Sequence, residues 1–449
     1  MTSIDQYIHV NLQKAIDETI RLCAQPSVSA TGQGVRECAA LTAEILKGHG
    51  LEVQSFETKG NPILVGRASG KSPRTLLFYN HYDVQPPEPL ELWTSPPFEP
   101  ALRDGALYAR GVSDDKGELI ARLFALEAVR AAHGGELPCG ATFVVEGEEE
   151  VSSPTIAGFV RQHLDLLACH AAIWEVGGVD LEGKPGTTLG ARGILDVELS
   201  VESMSMDAHS GNAHALPSAA WRLLRVLASL KDENERILIP GWYDACLPHS
   251  ARDLELLAAQ PDHEAYTRQQ FGIERFLNGL TGMELKKSVF NPTCNIQGIT
   301  TGYQGPGAKT IVPAKASAKL DFRLVPEQDP DGMYAKLCVY LVEQGFGDVQ
   351  VQRIGSMEPY KSDADHPFFQ LSARLALEVY SKELQMGPLA SGSSPIYAFT
   401  GPLGDIPVLW AGVGGPNGRA HSPDENIVIE NFVNGTRYLA RILDEFGTI

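Results

Sequence analysis

Residues 76–87 read LLFYNHYDVQPP. An apolar run of this kind, short and unbroken, is the mark of a strand buried on both faces. Such a strand has no packing use for the imidazole and carboxylate of His81-Tyr82-Asp83 at its carboxyl end. Similar runs occur at TLLFYN (75–80), ATFVVE (141–146), AAIWEV (171–176) and IPVLWAGV (406–413), with helical patterns between them. In KGELIARLFALEAVRAA (116–132), Leu119, Leu123, Leu126 and Arg130 fall at helical spacing, with charges elsewhere. Strands alternating with helices predict an α/β sheet with covered faces.

The middle of the chain has a different period. ILDVELSVES (194–203), AKASAKLDFRLVP (314–326) and GDVQVQRIG (347–355) alternate apolar with polar residues. A period of two marks half-exposed antiparallel strands. Helical stretches at 218–230 and 331–344 accompany them. Residues 195–357 are therefore expected to form an α+β domain inserted into an α/β domain built from 1–194 and 358–449.

Composition narrows the function. With 449 residues, 43% of them hydrophobic and 21% charged, the chain suits two folded domains rather than disorder. A formal charge of −19 argues against nucleic acid, whose phosphates need a basic footprint. No apolar stretch reaches the roughly 18 residues of a membrane span. The start, MTSIDQYIHVNLQKAIDETIRLC, is amphipathic and acidic and lacks an apolar signal core, so a cytoplasmic protein is expected. Seven scattered cysteines with no C-x-x-C pair read as reduced thiols, so sulfur is not expected to hold a metal.

The chemistry collects where buried strands end. After TLLFYN come His81 and Asp83; after LYARGVS, Asp114 and Asp115; after ATFVVE, Glu148, Glu149 and Glu150; after AAIW, Glu175; and after IPVLWAGVGGPNGRA, His421. In open α/β sheets, ligands bind beyond the carboxyl ends of strands. Alone, His81 reads as a hydrogen-bonded structural histidine, EGEEEVSS as a solvated turn, and Asp114-Asp115 as a helix cap. Together, two imidazoles and several carboxylates have the composition of a site for two divalent ions, zinc or else manganese or cobalt. Asp83, two residues from His81 in extended chain, faces the same way and can orient the imidazole. Asp114, with two oxygens, can bridge ions roughly 3.5–4 Å apart.

HYDVQP, ARGVSDDKG, VVEGEEEVSS, DAHSG, GAKTIVPAKASAKLDFRLVP and GRAHSPDE resemble, in order, the signatures of a group of dinuclear metallohydrolases. That group comprises carnosinase, aminoacylase, carboxypeptidase G and succinyl-diaminopimelate desuccinylase, and the carnosinase-like branch is the most similar. The resemblance implies a three-layer, zinc-exopeptidase-like α/β catalytic domain carrying an inserted α+β lid and dimerisation domain. It implies that His81, Asp114 and Glu175 hold one metal and Asp114, Glu150 and His421 the other. It further implies a cis peptide at Asp114–Asp115, Asp83 as the orienting group and Glu149 as general base. His209 of DAHSG would reach the active site of the other subunit of a homodimer and stabilise the oxyanion. Arg323 would clamp a substrate carboxylate, and Thr310 and Ser393 would border the substrate. GPGAKT (305–310) is not a phosphate loop, because Ala308 separates the glycine from Lys309.

The expected reaction is amide hydrolysis by a metal-activated hydroxide, without a covalent intermediate, on dipeptides or short peptides with a free carboxylate. Carnosinase-type members tend to carry Asp where Glu175 stands, and carboxypeptidase and deacylase members Glu. An N-acyl-amino-acid deacylase is therefore the alternative. A non-catalytic binding homologue is a remoter one, since all five metal positions and Glu149 are present.

Overall fold

The computed structural model describes residues 2–449. Its principal strands are β1 (Glu52–Phe56), β2 (Ile63–Ala68), β3 (Thr75–His81), β4 (Gly140–Glu146), β5 (Ala171–Trp174) and β6 (Gly193–Glu202). They continue as β7 (Ala208–His209), β8 (Thr293–Thr301), β9 (Ile311–Val312), β10 (Lys315–Leu324), β11 (Gln350–Met357) and β12 (Val408–Trp410). The principal helices are α1 (Ser3–Cys23), α2 (Val35–Gly48), α3 (Gly117–Ala132), α4 (Ala219–Leu230), α5 (Pro330–Glu343), α6 (Pro367–Tyr380) and α7 (Ile429–Glu445).

The chain divides into two compact units. The first takes residues up to Leu189, Ser362–Gly387 and Ala398–Ile449; the second takes Gly190–Lys361 and Pro388–Tyr397. The third segment expected at 358–449 is thus interrupted, because residues 388–397 group with the inserted unit. No periodicity announces that return. The segment bonds through its backbone, with Ala390 N donating to Gly190 O at 2.8 Å and Arg192 N to Gly392 O at 3.0 Å.

In the first unit, six strands lie in the order β1-β2-β4-β3-β5-β12. The β3–β4, β3–β5 and β5–β12 pairs are parallel, and β1–β2 and β2–β4 antiparallel. From β3 the chain passes through α3 to β4 on one side and then to β5 on the other. The order therefore reverses at β3, and a crevice opens beyond its carboxyl end. Every residue of β4 and β5 is buried, and all but the first of β3, as the apolar runs require. Helix α3 departs from its amphipathic pattern: it is buried nearly all round, with Glu118 and Arg122 wholly inside. Helix α1 starts with a capping box in which Thr2 and Asp5 exchange bonds, and Asp5 also binds Arg437 and Arg441 of α7 at 2.9 and 3.0 Å.

The second unit is an antiparallel sheet in the order β8-β10-β6-β11. Strand β6 alternates buried and half-buried residues along its length. Its inward set, Leu195, Val197, Leu199 and Val201, packs with Leu223 and Val226 of α4 and Leu337 of α5. Among the described residues, no helix is long and apolar enough to cross a membrane.

One buried contact in the first unit ties stability to pH. His49, following α2, lies between Glu18 of α1 at 2.7 Å and Glu127 of α3 at 3.1 Å. Burial would lower its pKa, but bonds to the two carboxylates outweigh that and raise it; Glu127 is correspondingly brought down to about 2. The His49 contribution is therefore complete below its unfolded pKa of about 6.5 and is lost as pH rises through the higher folded value. Thermal melts should lose about 1.5–3 kcal/mol over that window, the worth of a charged hydrogen bond, relative to His49→Gln. Parallel melting curves for the two proteins would refute the assignment.

Candidate metal centre

Strand β3 delivers His81 to the crevice fully buried. Its Nδ1 lies 3.0 Å from the backbone carbonyl of Asp83 and 3.5 Å from the Asp83 carboxylate. A carbonyl only accepts, so Nδ1 carries the proton and Nε2 is the nitrogen turned toward Asp114. Asp83 orients the imidazole chiefly through its main chain. Its carboxylate accepts the backbone N–H groups of Glu149 and Glu150 at 3.2 and 3.1 Å, fastening the turn after β4.

Asp114 stands between the two imidazoles. Its Oδ1 is 2.9 Å from His81 Nε2 and its Oδ2 3.0 Å from His421 Nε2. The Asp114–Asp115 peptide is cis. Asp115 points inward and accepts from Asn80 Nδ2 at 2.6 Å and His81 N at 3.0 Å. Gly111, at φ +82°, begins this turn where a Cβ would come within 2.4 Å of Val84 Cγ1. Glu425 closes it from the other side. The buried carboxylate accepts from Gly111 N, Ser113 N and Asp114 N at 2.9–3.1 Å and pairs with Arg110 at 2.6 Å.

The remaining acids complete two ligand sets: His81 with Glu149 and Glu175, and Asp114 with Glu150 and His421. In each set one ligand atom per residue lies within 4.8 Å of the others. Glu149, expected as base, is thus a member of the first set in the place expected for Asp114, which faces that set through His81. Glu150 Oε2 lies 3.2 Å from His421 and 2.9 Å from Gln85 Nε2. Buried Glu150 Oε1 and Glu175 Oε2 have no hydrogen-bond partner. Unpartnered buried carboxylate oxygens in an oxygen and nitrogen donor set without sulfur fit divalent cations.

Electrostatics favours the same occupant. Burial pushes Glu149 up to about 7, aided by the charges of Glu150, Asp114 and Asp83, and pushes Glu175 well above the carboxylate range. Burial would raise Asp114 too, but bonds from His421 and His81 hold it far below. His421 is raised to about 10 by Asp114 and Glu150. Packing so many acids together without cations leaves some protonated; cations would displace those protons.

Four further residues named from the sequence belong to the second unit. Arg323 Nη1 bonds Ser393 Oγ at 2.7 Å. His209 lies exposed on β7, paired with Ile311 of β9, while Ser210 N bonds Thr310 O at 3.0 Å. Glu425, Arg110 and Arg122 were not singled out from the sequence, and Asp115 was named only as the partner of Asp114 in its turn. Arg122 is wholly buried and donates to the carbonyls of Tyr79, Trp174, Glu175 and Ala411, gathering neighbouring strand ends. The spacing of Glu425 four residues after His421 in HSPDE was the available signal.

Two neighbouring ligand sets, with Asp114 of one facing the imidazole of each, stand at the switch point of an α/β sheet and fit divalent metal ions. Residues 77–445 match the model of peptidase family M20/M25/M40, and the chain belongs to that family. It is 32% identical to an M20 family metallo-carboxypeptidase, Sso-CP2 from Sulfolobus solfataricus, with a TM-score of 0.91 over 97% of this chain and 99% of that one. It is 26% identical to the Beta-Ala-His dipeptidase of Rattus norvegicus over 91% of this chain and 87% of the relative. It is 28% identical to the Cys-Gly metallodipeptidase DUG1 of Candida albicans over 88% and 83% respectively. The chain is a divalent-metal-dependent peptidase.

Replacing Glu425 by Gln should lower metal affinity about 10–100-fold, since three backbone N–H groups around Asp114 lose a charged acceptor. Competition against a chromogenic chelator measures this; unchanged affinity would remove Glu425 from the supporting set.

Proposed function

We propose that the protein is an exopeptidase releasing the carboxyl-terminal residue of dipeptides and other short peptides, with two divalent ions, zinc foremost, per subunit. The observation that carries this is Asp114 facing both imidazoles at 2.9 and 3.0 Å. His81, Glu175 and Asp114 would hold one ion, and Asp114, Glu150 and His421 the other. Bound there, the ions would supply Lewis acidity and a water of lowered pKa. Glu149, raised to about 7, is poised to take the proton of that water and return it to the leaving amine. Arg323, with Ser393 beside it, takes the substrate carboxylate, for which a planar guanidinium is suited. Thr310 borders the same substrate.

The second unit also serves as the homodimer surface, with His209 donating to the substrate carbonyl oxygen in the partner's site. Supporting this, β8 is a sheet-edge strand with Ile296 and Ile299 each 45% exposed, and α4 leaves Trp221 65% exposed. A cytoplasmic location agrees with seven free cysteines. Deacylation of N-acyl amino acids is the second reading, favoured by Glu rather than Asp at position 175.

Glu149→Ala should cut turnover by about 10²–10⁴-fold with metal still bound; retained turnover would mean another base. Parallel rates on dipeptides and N-acetyl amino acids, with zinc or manganese, separate the two substrate readings, and activity on acyl compounds alone would displace the peptidase reading. Mixing inactive Glu149→Ala and His209→Ala subunits should restore part of the activity by forming one intact site per heterodimer. No complementation would place His209 outside the partner's reaction.

A further inference from the structure

We infer that Arg192 is the second guanidinium of a carboxylate subsite whose first is Arg323, an inference that rests on reading Arg323 as the carboxylate-binding residue. The two side chains come from one corner of the second unit's sheet. Arg192 immediately precedes β6, whose Ile194 pairs with Arg323, and Arg323 pairs on its other side with Thr293 of β8. The turn at 391–395 is fastened from both: Arg192 N donates to Gly392 O at 3.0 Å, and Arg323 Nη1 to Ser393 Oγ at 2.7 Å.

Arg192 is 7% exposed, and a buried cation normally has an anion beside it. This one has none within ion-pair distance among the described residues. Its Nη2 donates to Asn291 O at 2.8 Å and Thr293 Oγ1 at 3.3 Å, both uncharged, while its Nε is buried without a partner. The charge that acts on it most is repulsive: after burial itself, Arg323 is what lowers Arg192, to about 10. Asp321 offsets this only in part. Its Oδ1 stands 3.7 Å from Arg323 Nε and its Oδ2 accepts from Asn295 at 2.8 Å. Asp196, opposite Asp321 on β6, bonds Gln297 at 3.0 Å. Asp321 thus sits at the Nε edge of Arg323, while Ser393 marks the Nη edge as the one turned to a ligand.

Two like charges held together, one of them desolvated, form a site completed by an incoming anion. A flat carboxylate answers both guanidiniums, and its arrival removes the repulsion between them. Arg192 thereby sharpens discrimination between peptides with a free carboxyl terminus and capped ones.

The test compares wild type, Arg192→Met and Arg192→Lys on a dipeptide and on the same dipeptide as its carboxamide, with manganese- or zinc-loaded enzyme. Arg192→Met should raise KM for the free dipeptide about 10–100-fold, more than it lowers kcat, while the preference over the carboxamide shrinks by a similar factor. Arg192→Lys, keeping charge without the fork, should fall between, and it carries the test if Arg192→Met does not fold. Unchanged KM, or equal losses on both substrates, would overturn the inference. If wild type hydrolyses no dipeptide, the proposed function fails separately. The subsite is then read by thermal shift with succinate, expected in wild type and lost in Arg192→Met; equal shifts would overturn it.

Discussion

One carboxylate held between two imidazoles organises the first unit. Asp114 can face His81 and His421 at once only because its backbone is fixed in place, and the fixing is electrostatic. Glu425 gathers three amides of the turn, those of Gly111, Ser113 and Asp114, and Arg110 neutralises Glu425 in turn. The neighbouring Asp115 turns the other way and holds the end of β3 through Asn80 and the His81 amide. Two adjacent aspartates thus do opposite jobs, one presented to ligands and the other tying the turn to the sheet. Without this frame, the two ligand sets would be separate clusters rather than one centre.

The same region concentrates negative charge where the protein has least water to solvate it. Burial pushes Asp115 to about 7 and Glu118 and Glu146 to about 8, in addition to Glu149 and Glu175. Arg122, wholly buried, supplies countercharge from beneath and spends its N–H groups on strand-end carbonyls. Glu118 accepts from Val413 N at 2.9 Å, so even the acids away from the ligand sets hold main chain. Such an arrangement is poorly balanced by protein charges alone and well balanced by divalent cations, whose presence inverts the local field.

The second unit follows different rules. Its sheet is half-exposed and its apolar residues alternate inward. Arg323 remains accessible and Arg192 does not. The return of residues 388–397 matters here because Ser393 and the Gly392 carbonyl are what the two arginines grip.

Much of this was legible without coordinates. Buried strands reveal themselves by apolar runs and half-exposed ones by alternation, because side-chain direction repeats every two residues. The candidate ligands were sought at the ends of those strands: His81 closes β3, Glu150 and Glu175 come soon after β4 and β5, and His421 lies well beyond β12. The family signatures then assigned roles, including that of Glu149. What tertiary structure alone decided were pairings that no motif announced: Glu425 with the Asp114 turn, and Arg192 at the same sheet corner as Arg323. The depth of Glu118 and Arg122 in a helix patterned as amphipathic belongs with these. Periodicity encodes which way a residue points within its own element, whereas burial and partnership depend on what the rest of the chain brings against it, and a buried arginine is written with the same letter as an exposed one.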